Sequence, residues 1–236
     1  MRDFELFFNG HNCREFNLIV SKYPSIPRLN EEYDEVKIEG RNGPLYINKG
    51  TYENRKIDIE FKLISKTEEY YTDFEQVEEW LSNIEDNSLI YGRDDRKFTV
   101  KKVIIGDLKK ELRVCGAFKV TFICDPFMRD IEETNIDIIN NSEINNSGDF
   151  AIEPIIEITG SGDISIEINN SIEVTFKGIK NKVILNSELM LCLDADGNSI
   201  LNKMYGDFPT FKQGKNTIVI NGSITKATLK FRNLYR

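Results

Sequence analysis

The sequence predicts a mainly β protein in two parts, with a boundary near residue 130. Three observations predict it. Apolar residues recur at every second position in KIDIEFKLI and RVCGAFKVTFIC, the period of a half-buried strand, and the second part is short apolar runs broken by Gly, Asn and Asp. One segment, TDFEQVEEWLSNIED, carries helical spacing instead. Charge is uneven as well: 46 of the first 130 residues are Asp, Glu, Lys or Arg, against 24 of the remaining 106.

The first part, residues 1–130, mixes strands with that single helix. EVKIEG (35–40) is its first strand candidate. KIDIEFKLI follows, with Ile57, Ile59, Phe61 and Leu63 on one face. In the helix, Thr72 is placed to cap the first turn, with Glu75 completing a capping box. Phe74, Val77, Trp80, Leu81 and Ile84 form its apolar face. Asp73, Glu75, Glu78, Glu79 and Glu85 read as a solvated face rather than a cation site. KFTVKKVII (97–105) is another strand, and RVCGAFKVTFIC repeats period two through Phe118, Val120, Phe122 and Cys124.

From Asp130 to Asp149 the chain is polar and Asn-rich, with a connecting segment or short edge strand across 132–140. The second part, residues 131–236, reads as almost all strand. Its candidates are 154–160, 163–169, 172–178, 182–186, 189–194, 216–221 and 227–233. Short strands at this spacing, broken by Gly, Asn and Asp, predict a β-sandwich. Asn169-Asn170 and Asp196-Gly197 are the expected hairpin turns, since those residues tolerate positive φ.

Composition excludes several functions. The chain has 236 residues, a formal net charge of -8 and one histidine. No stretch approaches 18 uninterrupted apolar residues, so no membrane insertion is expected. The opening MRDFELFFNG has no long apolar run and carries Asp3 and Glu5, so no signal peptide is expected. Nucleic-acid binding needs clustered Lys or Arg, and no basic block exists. Cys13, Cys115, Cys124 and Cys192 form no C-x-x-C pair, and His11 near Cys13 has no second histidine to complete a metal site. Buried free thiols and a surface histidine are the expectation, with no metal and no cofactor.

Motifs for catalysis fail on inspection. Asp194-Ala195-Asp196-Gly197-Asn198 imitates the opening of a calcium loop, but Ser199 and Tyr205 stand where Gly and Glu are needed. Gly160-Ser161-Gly162 and Gly40-Arg41-Asn42-Gly43-Pro44 precede no helix that would hold a phosphate. No nucleophile elbow is present, and abundant carboxylates are not by themselves a glycosidase pair. The chain is expected not to be an enzyme.

With enzymes set aside, the order of local signatures is informative. Phe7-Phe8-Asn9-Gly10 opens the series, followed by Pro27 to Gly43 (PRLNEEYDEVKIEGRNG) and Tyr52 to Leu63. The Trp80-Leu81 pair comes next, then Leu89-Ile90-Tyr91 with Asp94-Asp95. Gly116 to Phe122 leads into Cys124-Asp125-Pro126-Phe127. In the second part stand Pro154 to Gly162 (PIIEITGSG) and Phe208-Pro209-x-Phe211-x-x-Gly214-x-Asn216. In this order and spacing the chain resembles the distal tail (Dit), or phage tail component, family of long-tailed phages and prophages.

The resemblance implies a fold and an assembly role. The first domain would be β-sandwich or split-barrel-like with one helix. The second would be a galectin-like or carbohydrate-binding-like β-sandwich. The protein would be a structural part of the virion, made in the bacterial host cytoplasm and placed at the tail tip. It would form a homohexameric ring, the first domain building the ring and the second lying outside it. The ring would join the tail tube protein to the tail-associated fibre or lysin protein and serve receptor-binding parts. Nearly continuous matches leave no room for an inserted module, and an acidic tube mouth would pass DNA without holding it. The alternative is a carbohydrate-binding module for host-surface glycans, for which Tyr205, Phe208 and Phe211 are the expected exposed aromatic patch. Trp80, on the apolar helix face, is expected in the core.

Overall fold

The computed structural model describes residues 5–22, 25–66, 69–107, 109–112, 115–138 and 141–236. Ile139 and Asn140 of the expected connecting segment, and Arg113 and Val114 at the head of RVCGAFKVTFIC, lie outside them. The chain divides into two compact units, one running to Arg129 and the other spanning Asp130–Tyr235.

The first unit contains β1 (Leu6–Phe8), β2 (His11–Asn12), β3 (Leu18–Val20), β4 (Glu31–Val36), β5 (Leu45–Tyr52) and β6 (Arg55–Ile64). Helix α1 (Tyr70–Ser82) follows, then β7 (Ser88–Tyr91), β8 (Arg96–Ile105), β9 (Lys109–Leu112) and β10 (Cys115–Asp130). Its main sheet runs β2-β1-β7-β8-β10-β6-β3, with β9 against β10. The two period-two runs meet as antiparallel neighbours: Phe118 faces Phe61, Val120 faces Ile59, and Phe122 faces Ile57. All six are buried, and sealing a side chain of this size from water contributes about 1.5–3 kcal/mol. The strand expected at 35–40 instead ends at Val36 and belongs to a separate two-stranded sheet of β4 and β5.

Helix α1 lays Tyr70, Val77, Trp80 and Leu81 into the same core. The expected capping box does not form. The helix starts at Tyr70 with Glu69 at the N-cap and no side-chain cap bond, which places Thr72 inside the first turn. Tyr70 is buried, so packing pulls the start three residues ahead of the local capping signal. Ile84 lies beyond the last turn and is 36% exposed.

The far end of α1 is held by a residue 71 positions away. Asn9, at φ 51°, donates from Nδ2 to the carbonyls of Trp80 (3.0 Å) and Asn83 (2.6 Å). Its Oδ1 accepts from the amides of Glu85 (2.8 Å) and Asp86 (2.9 Å). The Trp80 indole N–H donates to the Phe8 carbonyl at 2.9 Å. Phe8 meets the Trp80 ring edge-on at 5.9 Å and Phe16 stacks on it at 4.6 Å. A helix end exposes carbonyls with no partner in the helix; here one asparagine satisfies them and fixes the turn beyond.

The second unit contains β11 (Thr134–Asp137), β12 (Ser142–Asn146), β13 (Ile155–Ile168), β14 (Ser171–Ile179) and β15 (Lys182–Asn186). β16 (Leu191–Leu193), β17 (Met204–Gly206), β18 (Gly214–Phe231) and β19 (Leu234–Tyr235) complete it. Two expected breaks are not breaks. The segments 154–160 and 163–169 are one strand, β13, and 216–221 and 227–233 fall largely within another, β18. These strands pair with each other on both sides of a shared corner. Before it β13 also pairs with β15, and beyond it with β14. Likewise β18 pairs with β12 near its start and with β11 near its end. The two sandwich layers therefore share two strands.

Glycine permits the corner. The register shifts between Thr159 and Gly160 and again between Ser161 and Ser165. A Cβ on Gly160 would meet the Ser223 carbonyl oxygen at 2.5 Å, and one on Gly222 would meet that of Asp163 at 2.7 Å. A Gly-x-Gly run that reads locally as a terminator is thus a bulged bend. The Asn169-Asn170 turn has φ 53° and 65° as expected of a two-residue hairpin.

Two outcomes test these contacts. Asn9→Ala removes four hydrogen bonds and is expected to lower the first unit's urea-unfolding free energy by about 2–4 kcal/mol. Gly160→Ala should cost the second unit about 2–4 kcal/mol by overpacking, while Gly162→Ala, at φ 81° with open space around it, costs about 1 kcal/mol. Equal losses at the two glycines would refute the corner as the reason for Gly160.

Candidate functional site

The arm made by β4 and β5 stands out because its sheet contains no other strand among the described residues. Register fixes its faces: Tyr33 opposes Asn48 and Glu35 opposes Tyr46, while Asp34 opposes Ile47 and Val36 opposes Leu45. Directly opposed residues share a face. One face therefore carries Asp34 together with Val36, Leu45 and Ile47, the three apolar residues exposed from 36% at Leu45 to 49% at Ile47, with exposed Ile38 just past the strand. The other carries Tyr33 and Tyr46, also exposed.

Polar bonds stiffen the arm without covering it. The Tyr33 hydroxyl donates to Glu31 at 2.6 Å and Asn48 donates to the same oxygen at 2.7 Å. The bond to Glu31 raises the Tyr33 pKa above its ordinary value. Lys49 pairs with Asp34 at 3.1 Å, which raises the lysine pKa.

The base of the arm is fixed to β10. Arg55, 4% exposed, occupies a position of β6 where the other inward residues are apolar. Its Nε donates to the Pro126 carbonyl at 2.5 Å and Nη1 to the Pro27 carbonyl at 3.4 Å, on the limb leading into β4. The guanidinium carbon lies 5.9 Å from the centre of the Phe98 ring. Burial pulls the Arg55 pKa below its ordinary value, and no carboxylate pairs with it among the described residues. On the outgoing limb, Tyr52 meets Phe127 edge-on at 5.3 Å and Lys101 donates to Asn54 at 3.0 Å. Both limbs are bolted to the core while the apolar face stays open.

The expected aromatic patch is dispersed. Tyr205 on β17 is 59% exposed, but Phe211 is fully buried and Phe208 is packed against the core. The Phe211 backbone bridges to Ile152, and buried Asn146 donates to its carbonyl, so the turn carries the ring inward. Asn216 donates to the carbonyls of Lys212 and Gly214 and accepts from the Lys212 amide, which closes the Phe-Pro turn. The motif is a clamp for a turn.

Among the described residues no group of three or more His, Cys, Asp or Glu is placed to hold a metal. His11 pairs with Glu15 at 2.8 Å. The four cysteines are free, and burial pushes the thiols of Cys124 and Cys192 up to about 12 and about 11. The sequence pattern placed one strand, 35–40, in the arm region and did not mark a face of it as open. The run of Tyr33, Val36, Ile38, Leu45, Tyr46 and Ile47 beside so many acids was the available signal.

The buried cation makes a separable prediction. Arg55→Met keeps the volume apolar and should change first-unit stability by no more than about 1 kcal/mol. Hydrogen exchange at Glu53, whose amide bonds the Asn30 carbonyl at the arm base, should quicken about tenfold. Loss of the whole unit's stability with unchanged local exchange would assign Arg55 to the core alone.

Residues 11–124 match the family model described as the phage tail protein RIFT-related domain. No curated protein sequence matches the chain significantly. Among solved structures, the chain is similar to the Dit protein of phage SPP1, described as a paradigm of the hub adsorption apparatus in phages infecting Gram-positive bacteria. That likeness has a TM-score of 0.74 and covers 100% of both chains at 12% identity, so it shows a shared fold. The arm, the Trp80 helix and the β6–β10 pair all lie inside the matched segment, so it is the first unit that is similar to the phage tail protein RIFT-related domain.

Proposed function

We propose that the chain is a hub subunit of a phage or prophage tail tip, assembling head to tail into a hexameric ring. In the ring the arm of each copy packs its Val36–Leu45–Ile47 face onto the next copy. The arm carries this reading. A lone two-stranded sheet is marginal in water, and an open apolar strand face is a surface that proteins normally cover. Anchoring at Arg55 and Tyr52 pre-organises the arm, which reduces the ordering cost of a contact. A contact between two different surfaces repeats from copy to copy and closes when the rotation is fixed.

The fold shared with the SPP1 hub protein supports the hub role, and the sequence resemblance supplies the tail tube and the fibre or lysin protein as partners. The subunit works through contact area rather than catalysis, and its place is the virion tail. Glycan binding by the second unit is not favoured, since Tyr205 alone of its three expected aromatics stands exposed.

Light scattering and negative-stain imaging test the ring. The wild-type protein is expected to give rings of six with a central hole. Val36→Glu with Ile47→Glu should give monomers of unchanged circular dichroism, each charge setting back a contact by about 1–3 kcal/mol. Rings that persist in the double variant would refute the arm as the contact.

A further inference from the structure

Three Asn-Gly pairs occur in the chain, at Asn9-Gly10, Asn42-Gly43 and Asn221-Gly222. Such a pair carries its own reaction. The backbone nitrogen of the glycine, once deprotonated, attacks the asparagine side-chain carbonyl carbon. A C–N bond forms, the side-chain nitrogen leaves as ammonia, and a five-membered succinimide results. Water then opens the ring at either carbonyl to leave aspartate or isoaspartate. One water is consumed and one ammonia released, with no oxidant and no catalyst. The demands are structural: a free side chain, an accessible glycine amide and a backbone able to turn.

The fold withholds these conditions from two of the pairs. Asn9 has both side-chain atoms committed to four backbone partners at the end of α1. Asn221 lies inside β18, paired across to Ser165, and its Nδ2 donates to Glu167 at 2.8 Å. Asn42 differs in every respect. It sits in the turn between β4 and β5, at the tip of the arm, with Arg41, Asn42 and Gly43 all exposed. Among the described residues neither the Asn42 side chain nor the Gly43 amide has a hydrogen-bond partner. Gly43 has φ 79° and nothing within 4 Å of where a Cβ would stand, so the nitrogen is open to hydroxide and the turn is uncrowded. The corresponding Asp196-Gly197 turn is closed by a bond from the Gly197 amide to Asp194 at 3.3 Å.

We propose that Asn42 is a site of spontaneous deamidation, a built-in modification that places a new negative charge, and in the isoaspartate form an extra backbone methylene, at the tip of the arm. It rests on the turn geometry alone and is independent of the ring. Glu31, Glu32, Asp34 and Glu35 already load β4 with acid, so each modified copy carries a still more acidic arm.

Incubation of the purified protein at mildly alkaline pH, followed by Glu-C digestion under mildly acidic conditions, tests the site. The peptide Gly40–Glu53 is expected to gain about 1 Da and one negative charge, at the pace of a synthetic peptide of the same sequence. Peptides bearing Asn9 and Asn221 should keep their masses. Asn42→Gln should abolish the acidic species seen on isoelectric focusing while leaving circular dichroism unchanged. An Asn42 that keeps its amide while the free peptide loses it would overturn the proposal. So would an acidic species that accumulates equally in Asn42→Gln, or earlier reaction at Asn9 or Asn221.

Discussion

The first unit depends on how its single helix is tied to its sheet. Trp80 and Asn9 do this together: the indole bonds the carbonyl of Phe8, and the next residue in the chain bonds back to the carbonyl of Trp80. The exchange joins the first hairpin to the last helical turn through backbone atoms on both sides. Because Phe8 also touches Phe122 of β10 at 5.1 Å, the same junction reaches the central strands. The aromatic-Asn-Gly and Trp-Leu signatures, far apart in sequence, are two halves of one contact. Gly10, at φ 75°, turns the chain so that Asn9 points to the helix end.

Asparagine carries this kind of work elsewhere too. Asn146 holds the carbonyls of Phe150 and Phe211 and receives the Gly148 amide. Asn216 closes the turn at Lys212 and Gly214, and Asn169 receives the Thr217 amide. An amide side chain offers both donors and an acceptor without charge, so it can be buried against backbone at a turn where a carboxylate or ammonium would cost far more. The Asn-rich second half, which by composition alone resembles loop, is in part a set of such fasteners.

What the sequence reveals follows from range. Short runs broken by Gly, Asn and Asp marked most of the second unit's strands, and period two marked β6 and β10, because alternation is a local record of one covered face. The helix was visible for the same reason, through Val77, Trp80 and Leu81. Its start was not, because Tyr70 is drawn in by tertiary packing rather than by Thr72. Gly160 and Gly222 look like terminators until the crossing backbone that needs their missing side chains is in place. The arm was the hardest to read. Alternation shows which residues share a face, but only the fold shows that Val36, Leu45 and Ile47 stay exposed and that Phe211 is buried.

The sharing of β13 and β18 between both layers has a mechanical consequence. In an antiparallel ladder the hydrogen bonds run perpendicular to the strands. A pull along β18 therefore loads its bonds to β13, β12 and β11 in shear, many at once, rather than unzipping them singly. Neither layer can slide without dragging the other through the glycine corner. A unit built this way resists tension along its longest strand as one body.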